Sequence, residues 1–273
     1  AAAEREEVAS IENKNLKGAD GQDLPVRIYR PEMVQSPAPV TVFFHGGGWV
    51  VGSLDSHDAE CRALANQTKT VLIAVDYRLA PEHPFPAAPE DCYGALCQIV
   101  ESADELEVNP TRLAVVGDSA GGNLAAVVCI MARDRSGPKI SHQLLIYPAC
   151  DMNPEQYSST KENGTGYLLT DEMMRWFYRH YVGSEVFVDE VYASPIRAND
   201  LSGLPSAQII TAEFDPLRDE GKAYAKALSD AGVETHYECV DGLIHGFLGF
   251  AEMIPEAKEA RDAACRRLVE ALT

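Results

Sequence analysis

Positively charged residues are scarce in this chain of 273 residues. Lys and Arg number 23 against 42 Asp and Glu, which gives a formal net charge of -19 at pH 7. A surface this acidic repels phosphate backbones and anionic membranes. The composition therefore argues against nucleic acid as a partner.

Segments that would send the chain to or across a membrane are also lacking. No apolar run approaches the length of a membrane span, and residues 1–7 (AAAEREE) show no basic-then-apolar signal pattern. The seven cysteines include no CxxC pair, which argues against a structural zinc site. Several of them lie inside apolar runs and are typical of buried free thiols, so we expect a cytoplasmic location.

Short β-branched runs alternate with longer helical patterns along the chain. Largely apolar strands are predicted at residues 40–44, 71–75, 113–116, 144–147 and 207–211, with helices near 57–68, 88–103, 120–134, 218–232 and 256–272. Strands that are apolar on both faces are buried on both faces. The pattern predicts one α/β domain over residues 1–273, with a mostly parallel central sheet flanked by helices.

Two segments depart from this alternation. Residues 11–16 and 24–30 flank a turn-prone Asp-Gly pair and predict an antiparallel hairpin ahead of the sheet. Between residues 152 and 200 no strand is predicted, but residues 173–178 (MMRWFY) form a helical, aromatic-rich stretch. An insertion of this size with its own apolar face usually covers a functional site, although an extra core helix explains it nearly as well.

Residues 117–121 (GDSAG) fit the pattern G-x-S-x-G, directly after one predicted strand and directly before a helix of small residues. A serine on such a tight strand-to-helix turn has strained backbone angles, and bulky side chains two residues away would clash there. The turn also places the N–H of Ala120 at a helix N-terminus, facing negative charge on a substrate oxygen. The pattern predicts Ser119 as a nucleophile, the alternative being a merely close-packed turn.

Three successive glycines, Gly46, Gly47 and Gly48, follow His45 after the strand at 40–44. Their N–H groups can turn toward an anion with no side chain in between. A nucleotide is disfavoured because the loop has neither the G-x-G-x-x-G order nor a G-K-[ST] sequence. An oxyanion hole is favoured, since a nucleophilic serine on such a turn is accompanied by an HGGG-type donor loop after an earlier strand. We interpret His45 as structural rather than catalytic.

A serine hydroxyl needs a base, and the base needs a carboxylate that fixes its tautomer. In this kind of fold the chain order is Ser, then Asp or Glu, then His. Of the histidines after Ser119, His142 begins a predicted strand, and His180 lies on the aromatic helix. His236 lies within a further predicted strand, the last one, at residues 235–240. This leaves His245, in a glycine-flanked loop that we place after the last strand, where sites of open α/β sheets collect.

Two aspartates compete for the role of orienting carboxylate. Asp215 follows the strand at 207–214 and precedes Pro216, which begins the next helix. Asp219 falls a turn into that helix, where we expect it to face solvent or to favour the first turn electrostatically. The sequence favours Asp215.

These motifs together resemble a known family. Five blocks occur in the family's order: 45–49 (HGGGW), 77–82 (YRLAPE), 117–123 (GDSAGGN), 215–221 (DPLRDEG) and 241–247 (DGLIHGF). They look like those of the hormone-sensitive-lipase-like, bacterial family IV esterases. The resemblance implies an α/β-hydrolase fold and a triad in which Ser119 is the nucleophile, His245 the base and Asp215 its orienting partner.

The resemblance also implies roles for the glycine loop. The N–H groups of Gly47, Gly48 and Ala120 would form the oxyanion hole, with Gly46 shaping the loop. Residues 77–82 would brace that loop rather than take part in the chemistry.

The family comparison further implies that the insertion at about 152–200 is part of a cap over the acyl pocket. Family members usually carry an N-terminal helical stretch that completes this cap, and too few residues precede the first strand here to build it. Either the chain is truncated or the pocket is unusually open. In an open pocket, Trp49, Trp176 and Phe177 would be exposed apolar residues unless a partner covers them, and we expect these three side chains to contact substrate.

The resulting prediction is a serine carboxylesterase that acts on short to medium acyl esters through an acyl-enzyme and requires no cofactor or metal. An amidase with the same triad is one alternative. A receptor-like relative that binds a ligand without hydrolysing it is another, although the presence of His245 argues against it. A homo-oligomer is compatible with the sequence, since strand or helix edges could pair.

Overall fold

An eight-stranded sheet forms the centre of the protein in the computed structural model, which describes residues 5–34, 36–183 and 189–273. The strands are β1 (Ser10–Lys17), β2 (Asp23–Arg30), β3 (Ala38–Phe44), β4 (Val71–Val75), β5 (Val108–Asp118), β6 (His142–Ile146), β7 (Ser206–Phe214) and β8 (Thr235–Ile244). Their order in space is β1-β2-β4-β3-β5-β6-β7-β8. The pairs β1/β2 and β2/β4 are antiparallel, and all pairs from β4 to β8 are parallel.

Helices cover both faces of this sheet. They are α1 (Asp58–Thr68), α2 (Ala87–Glu101), α3 (Ala120–Asp134), α4 (Ser158–Asn163), α5 (Asp171–Tyr181), α6 (Arg218–Asp230) and α7 (Pro255–Ala271). One core lies beneath α2, α3 and α6, and a second lies beneath α1 and α7. Strand β3 shows the reason: Val42 and Phe44 point into the first core and Phe43 into the second, so the strand is apolar on both faces.

The predicted α/β architecture is confirmed. Each predicted strand and helix is present, and the N-terminal hairpin pairs Leu16 with Leu24. One boundary prediction is wrong: residues 241–244, expected as loop, continue β8, and Ile244 pairs with Phe214 after a register shift. An Asp-Gly pair such as that at 241–242 is typical of a turn, but the pairing of β8 with β7 continues beyond it.

The segment between residues 152 and 200 contains no strand among its described residues, as predicted, and residues 184–188 lie outside the described part of the chain. The predicted aromatic helix is α5, whereas α4 was missed because six mainly polar residues carry no readable helical period. None of the helices in the described ranges has the length and apolar character needed to cross a membrane.

Candidate active site

Ser119 occupies the turn between β5, which ends at Asp118, and α3, which begins at Ala120. Its backbone is strained, with φ 56° and ψ -118°. The neighbouring chains approach so closely that a Cβ on Gly117 would lie 2.1 Å from the carbonyl oxygen of Gly121. A Cβ on Gly121 would lie 1.9 Å from the carbonyl oxygen of Phe44. Both glycines of the G-x-S-x-G pattern are therefore required by packing.

This close packing predicts a large difference between two glycine substitutions. Gly121→Ala should lower the free energy of unfolding by roughly 1–3 kcal/mol, because the added methyl group overpacks the backbone of β3. Gly94→Ala in α2 should raise it by about 0.5–1 kcal/mol, since the nearest atom to its Cβ lies 4.0 Å away and the helix gains a better helix former. Urea denaturation of both variants measures the difference. Equal changes in the free energy of unfolding would show that the turn at Ser119 can accommodate a methyl group at Gly121.

His245 and Asp215 lie beside the serine. His245 Nε2 is 3.0 Å from Ser119 Oγ, and its Nδ1 is 2.7 Å from Asp215 Oδ2. Asp215 follows β7 and is fully buried, and its other carboxylate oxygen accepts the N–H of Leu217 at 2.8 Å. An ionised carboxylate only accepts hydrogen bonds, so the imidazole proton lies on Nδ1 and the lone pair of Nε2 faces the serine. The structure thus brings the three predicted side chains together.

The rival carboxylate, Asp219, lies elsewhere. It is the second residue of α6 rather than a turn into it, and it is partly buried, so the expectation that it faces solvent is wrong. Its place in the first turn agrees with the alternative expectation, a favourable electrostatic effect there. Its carboxylate accepts the N–H of Ser159 at 2.9 Å and a hydrogen bond from Arg218 at 2.9 Å. Burial acts to raise the pKa of Asp219, but the Arg218 and Ser159 hydrogen bonds outweigh it and lower that pKa. Asp219 therefore links α6 to α4 through the hydrogen bond with Ser159.

The glycine loop, Gly46 to Gly48, places two free backbone amides at the cavity beside Ser119. The N–H of Gly46 donates to Asp118 Oδ1 at 2.8 Å, so it anchors the loop and does not face the cavity as an oxyanion donor. Gly47 and Gly48 donate to no acceptor in the described part of the chain. Together with Ala120 they border the cavity that also contains Ser119.

His45 holds this loop in place, as predicted. It is buried, its ring stacks on Tyr77 with centroids 4.4 Å apart, and the Tyr77 hydroxyl donates to its carbonyl oxygen at 2.6 Å. Burial lowers the pKa of His45 to about 4, so the ring is neutral near pH 7. Three residues after Tyr77, the N–H of Ala80 donates to the carbonyl oxygen of Trp49 at 2.8 Å. The expected bracing by residues 77–82 is confirmed by these contacts.

A cavity of about 240 Å³ lies in front of Ser119. Its lining is mainly apolar and includes six residues of the 152–200 segment: Leu168, Leu169, Met173, Met174, Phe177 and Tyr178. The polar side chains around it include Asp118 and His57, which sequence reasoning missed. His57 lies just before α1, outside every motif used above, and its only sequence signal is its position shortly after the glycine loop.

The three predicted substrate contacts have different surroundings. Trp49 lines the cavity, but it was expected to be exposed and is only 1% exposed, because its ring stacks on Tyr181 with centroids 4.3 Å apart. Phe177 lines the cavity and packs against Gly48. Trp176 is 43% exposed and stands edge to face against Phe177, but it does not line the cavity. The prediction of a substrate contact for Trp176 therefore has no support in this geometry.

Metal ligands were not predicted for this site. In residues 5–34, 36–183 and 189–273 no three His, Cys, Asp or Glu side chains are grouped so that they could hold a metal ion. The groups that face the cavity instead suit acyl transfer, which requires a nucleophile, a base and oxyanion donors.

Comparison with known proteins agrees with this geometry. Residues 41–249 match a family model described as the alpha/beta hydrolase fold. The chain belongs to the α/β-hydrolase family. Its motifs also place this α/β hydrolase in the hormone-sensitive-lipase-like branch, so the resemblance drawn from the sequence is confirmed.

Relatives of this α/β hydrolase are similar over most of its length. It is 43% identical over 266 residues to the carboxylesterase NlhH of Mycobacterium tuberculosis, covering 96% of this chain and 83% of the relative. It is 39% identical to the ethyl acetate hydrolase of Pseudomonas putida, covering 94% and 82% of the two chains.

Solved structures are similar as well. The hyperthermophilic esterase of the archaeon Pyrobaculum calidifontis superposes with a TM-score of 0.94 at 43% identity, over 97% of this chain and 87% of that one. EstE1, a thermostable carboxylesterase from a metagenomic library, superposes with a TM-score of 0.96 at 40% identity, over 100% of this chain and 92% of that one.

Proposed function

We propose that this α/β hydrolase is a serine carboxylesterase that cleaves short to medium acyl esters through an acyl-enzyme. The observation that carries the proposal is the chain of hydrogen bonds from Asp215 through His245 to Ser119. Ser119 lies at a cavity that is also bordered by the free backbone amides of the glycine loop. Two relatives described above are named for ester hydrolysis, which supports the same reaction.

Acylation follows from this geometry. Ser119 Oγ attacks the ester carbonyl carbon while His245 Nε2 takes the hydroxyl proton, and the buried carboxylate of Asp215 stabilises the imidazolium that forms. The carbonyl oxygen becomes an oxyanion facing the N–H groups of Gly47, Gly48 and Ala120. When the carbonyl re-forms, the bond to the alcohol oxygen breaks and the imidazolium protonates that oxygen.

Deacylation repeats these steps with water in place of the serine. His245 takes a proton from water as the water oxygen attacks the acyl carbon, and the same amides hold the second oxyanion. Collapse of this intermediate breaks the bond to Ser119 Oγ, which regains its proton from the imidazolium. The acid is released, and no cofactor takes part in either half-reaction.

The lining and the volume of the cavity support the proposed preference for short to medium acyl groups. We infer that the 152–200 segment acts as a cap within a single domain, because six of its residues line the cavity over the serine. At about 240 Å³, the cavity lies just below the usual range of roughly 300–1,000 Å³ for ligand pockets. Its apolar lining and modest size favour short to medium acyl chains.

Hydrolysis of p-nitrophenyl esters from acetate to laurate tests the proposal against its alternatives. An esterase releases p-nitrophenol from the shorter esters and cleaves matched p-nitroanilides far more slowly. Faster cleavage of the anilides would indicate an amidase. Saturable binding of an ester with no turnover would indicate a receptor-like protein.

The pH profile gives a second test of the same assignment. The rate constant kcat/KM should fall on acidification, because protonated His245 cannot accept the serine proton. Protonation of the base removes activity at low pH, and its deprotonation restores activity as the pH rises. Measurement of kcat/KM for p-nitrophenyl butyrate between about pH 8 and pH 5 checks this. A flat profile would remove His245 from the role of base.

A further inference from the structure

His57 borders the catalytic cavity without a role in the chemistry described above. Its Nε2 lies 3.5 Å from Asp118 Oδ1, the same oxygen that accepts the N–H of Gly46 at 2.8 Å. The carboxylate of Asp118 is buried and immediately precedes Ser119 in the chain. One carboxylate therefore connects the imidazole, the first glycine of the donor loop and the nucleophile.

The contact between this carboxylate and the loop is close. A Cβ on Gly46 would lie 2.4 Å from Asp118 Oδ2, so the backbone of the loop rests directly on the carboxylate. Gly47 and Gly48, whose N–H groups face the cavity, are the next two residues. Asp118 is therefore a direct support of the loop that carries both donors.

Hydrogen bonding around His57 shows its charge state. The Ser56 hydroxyl donates to the carbonyl oxygen of Ser53 at 2.9 Å, so its proton is already used. His57 Nδ1 lies 2.9 Å from Ser56 Oγ and must therefore donate to it. The opposite nitrogen, Nε2, faces the carboxylate of Asp118, which can only accept. This arrangement suits a proton on both ring nitrogens, that is, an imidazolium that forms an ion pair with Asp118.

The charged groups around the ring agree with this assignment. Asp118 faces it from the end of β5, Glu60 from α1, and the buried neutral ring of His45 lies 5.4 Å away, centroid to centroid. The adjacent Asp58 is paired with Arg62 at 2.8 Å. Burial acts to lower the pKa of His57, but the charge and hydrogen bond of Asp118, the charge of Glu60 and a backbone hydrogen bond with Ser53 together outweigh it and leave that pKa above its ordinary value.

Asp118 responds in the opposite direction. Burial acts to raise its pKa, but the charge of His57 and the hydrogen bonds from His57 and Gly46 lower it below the ordinary value. The raised pKa of His57 and the lowered pKa of Asp118 both favour a charged pair with the proton on His57.

We propose that His57 is a positioning residue of this esterase: as an imidazolium paired with Asp118, it holds the glycine loop in register with Ser119, and loss of its proton at alkaline pH slows acyl transfer. The proposal rests on the proposed function, since it requires that Gly47 and Gly48 hold the oxyanion. It adds an alkaline limb to the pH profile that is separate from the acid limb of His245.

The test is the pH profile of kcat for the wild-type protein, His57→Gln, Asp118→Asn and the matched control His236→Gln. His236 lies on β8 with a side chain 38% exposed, and it does not border the cavity. In wild type and control, activity should fall as the pH rises and His57 loses its proton, which it holds to a higher pH than an ordinary imidazole does. His57→Gln should have about tenfold lower kcat at neutral pH, a fraction of the 10²–10³ cost of losing a whole oxyanion donor, and no alkaline fall.

Asp118→Asn distinguishes charge from packing. Asparagine keeps an oxygen that can accept the N–H of Gly46 but removes the charge that retains the proton on His57. The alkaline fall should therefore move to lower pH in this variant, a change that mere loosening of the structure does not produce. Thermal unfolding shows whether each variant is folded at the assay temperature.

Each result decides the matter. Persistence of the wild-type alkaline fall in His57→Gln overturns the proposal, as does a wild-type profile with no alkaline fall. Those results leave ester hydrolysis and its dependence on Ser119 intact, so they are distinct from failure of the proposed function. Absence of ester turnover in the wild-type protein overturns both.

Discussion

Ser119→Ala should reduce ester turnover by about 10⁶-fold, to a level set by the oxyanion donors and binding alone. The alanine side chain fits the same turn but has no oxygen to attack the carbonyl, so no acyl-enzyme forms. His245 then has no hydroxyl proton to accept, and its pairing with Asp215 cannot compensate. The measurement is kcat on p-nitrophenyl butyrate, with KM for binding and thermal unfolding for the fold.

A matched control separates chemistry from damage. Ser229→Ala changes an exposed serine in α6, far along the chain from the turn at Ser119. This variant should keep wild-type kcat and KM. A Ser119→Ala enzyme that retained even one per cent of wild-type turnover, after contamination is excluded, would mean that another group attacks the ester.

The second large effect is expected for Asp215→Asn, which should lower kcat by about 10⁴-fold. The asparagine side chain fits the same buried space, but its amide nitrogen can donate to His245 Nδ1. That hydrogen bond favours the tautomer with the proton on Nε2, which leaves no lone pair for the serine hydroxyl. The imidazolium formed during the reaction also loses its buried counter-charge.

Asp219→Asn is the control for this variant, because Asp219 was the competing carboxylate in the sequence. Asparagine retains an oxygen that can accept the N–H of Ser159, and we expect kcat to change by no more than a few-fold. Comparable losses in the two variants would contradict the assignment of Asp215. The comparison therefore tests the choice between two acidic residues only four positions apart.

Local geometry explains why much of the site could be predicted from the sequence. The turn at Ser119 depends on a contiguous pattern, because Gly117 and Gly121 are required by contacts that the turn itself creates. Asp215 and His245 could be selected because parallel strands bring their carboxyl ends to one edge of the sheet. The turn was therefore predictable from adjacent residues, and the choice of Asp215 and His245 from the order of strands and helices.

Contacts between distant segments were not predictable in the same way. The exposure of Trp49 was predicted wrongly because the ring that covers it, Tyr181, belongs to the insertion at 152–200. The approach of His57 to Asp118 joins residues 61 positions apart and depends on tertiary packing that brings the residue before α1 to the end of β5. No pattern within either segment indicates such a partner.

The most direct test of the account is to identify the residue that forms the covalent intermediate. Treatment with a p-nitrophenyl phosphonate ester should release one equivalent of p-nitrophenol and abolish activity, and peptide mass spectrometry should find the phosphonyl group on Ser119 alone. The Ser119→Ala protein should remain unlabelled. Complete inactivation with the label on another side chain, or with no label at all, would contradict the assignment of Ser119 as the nucleophile.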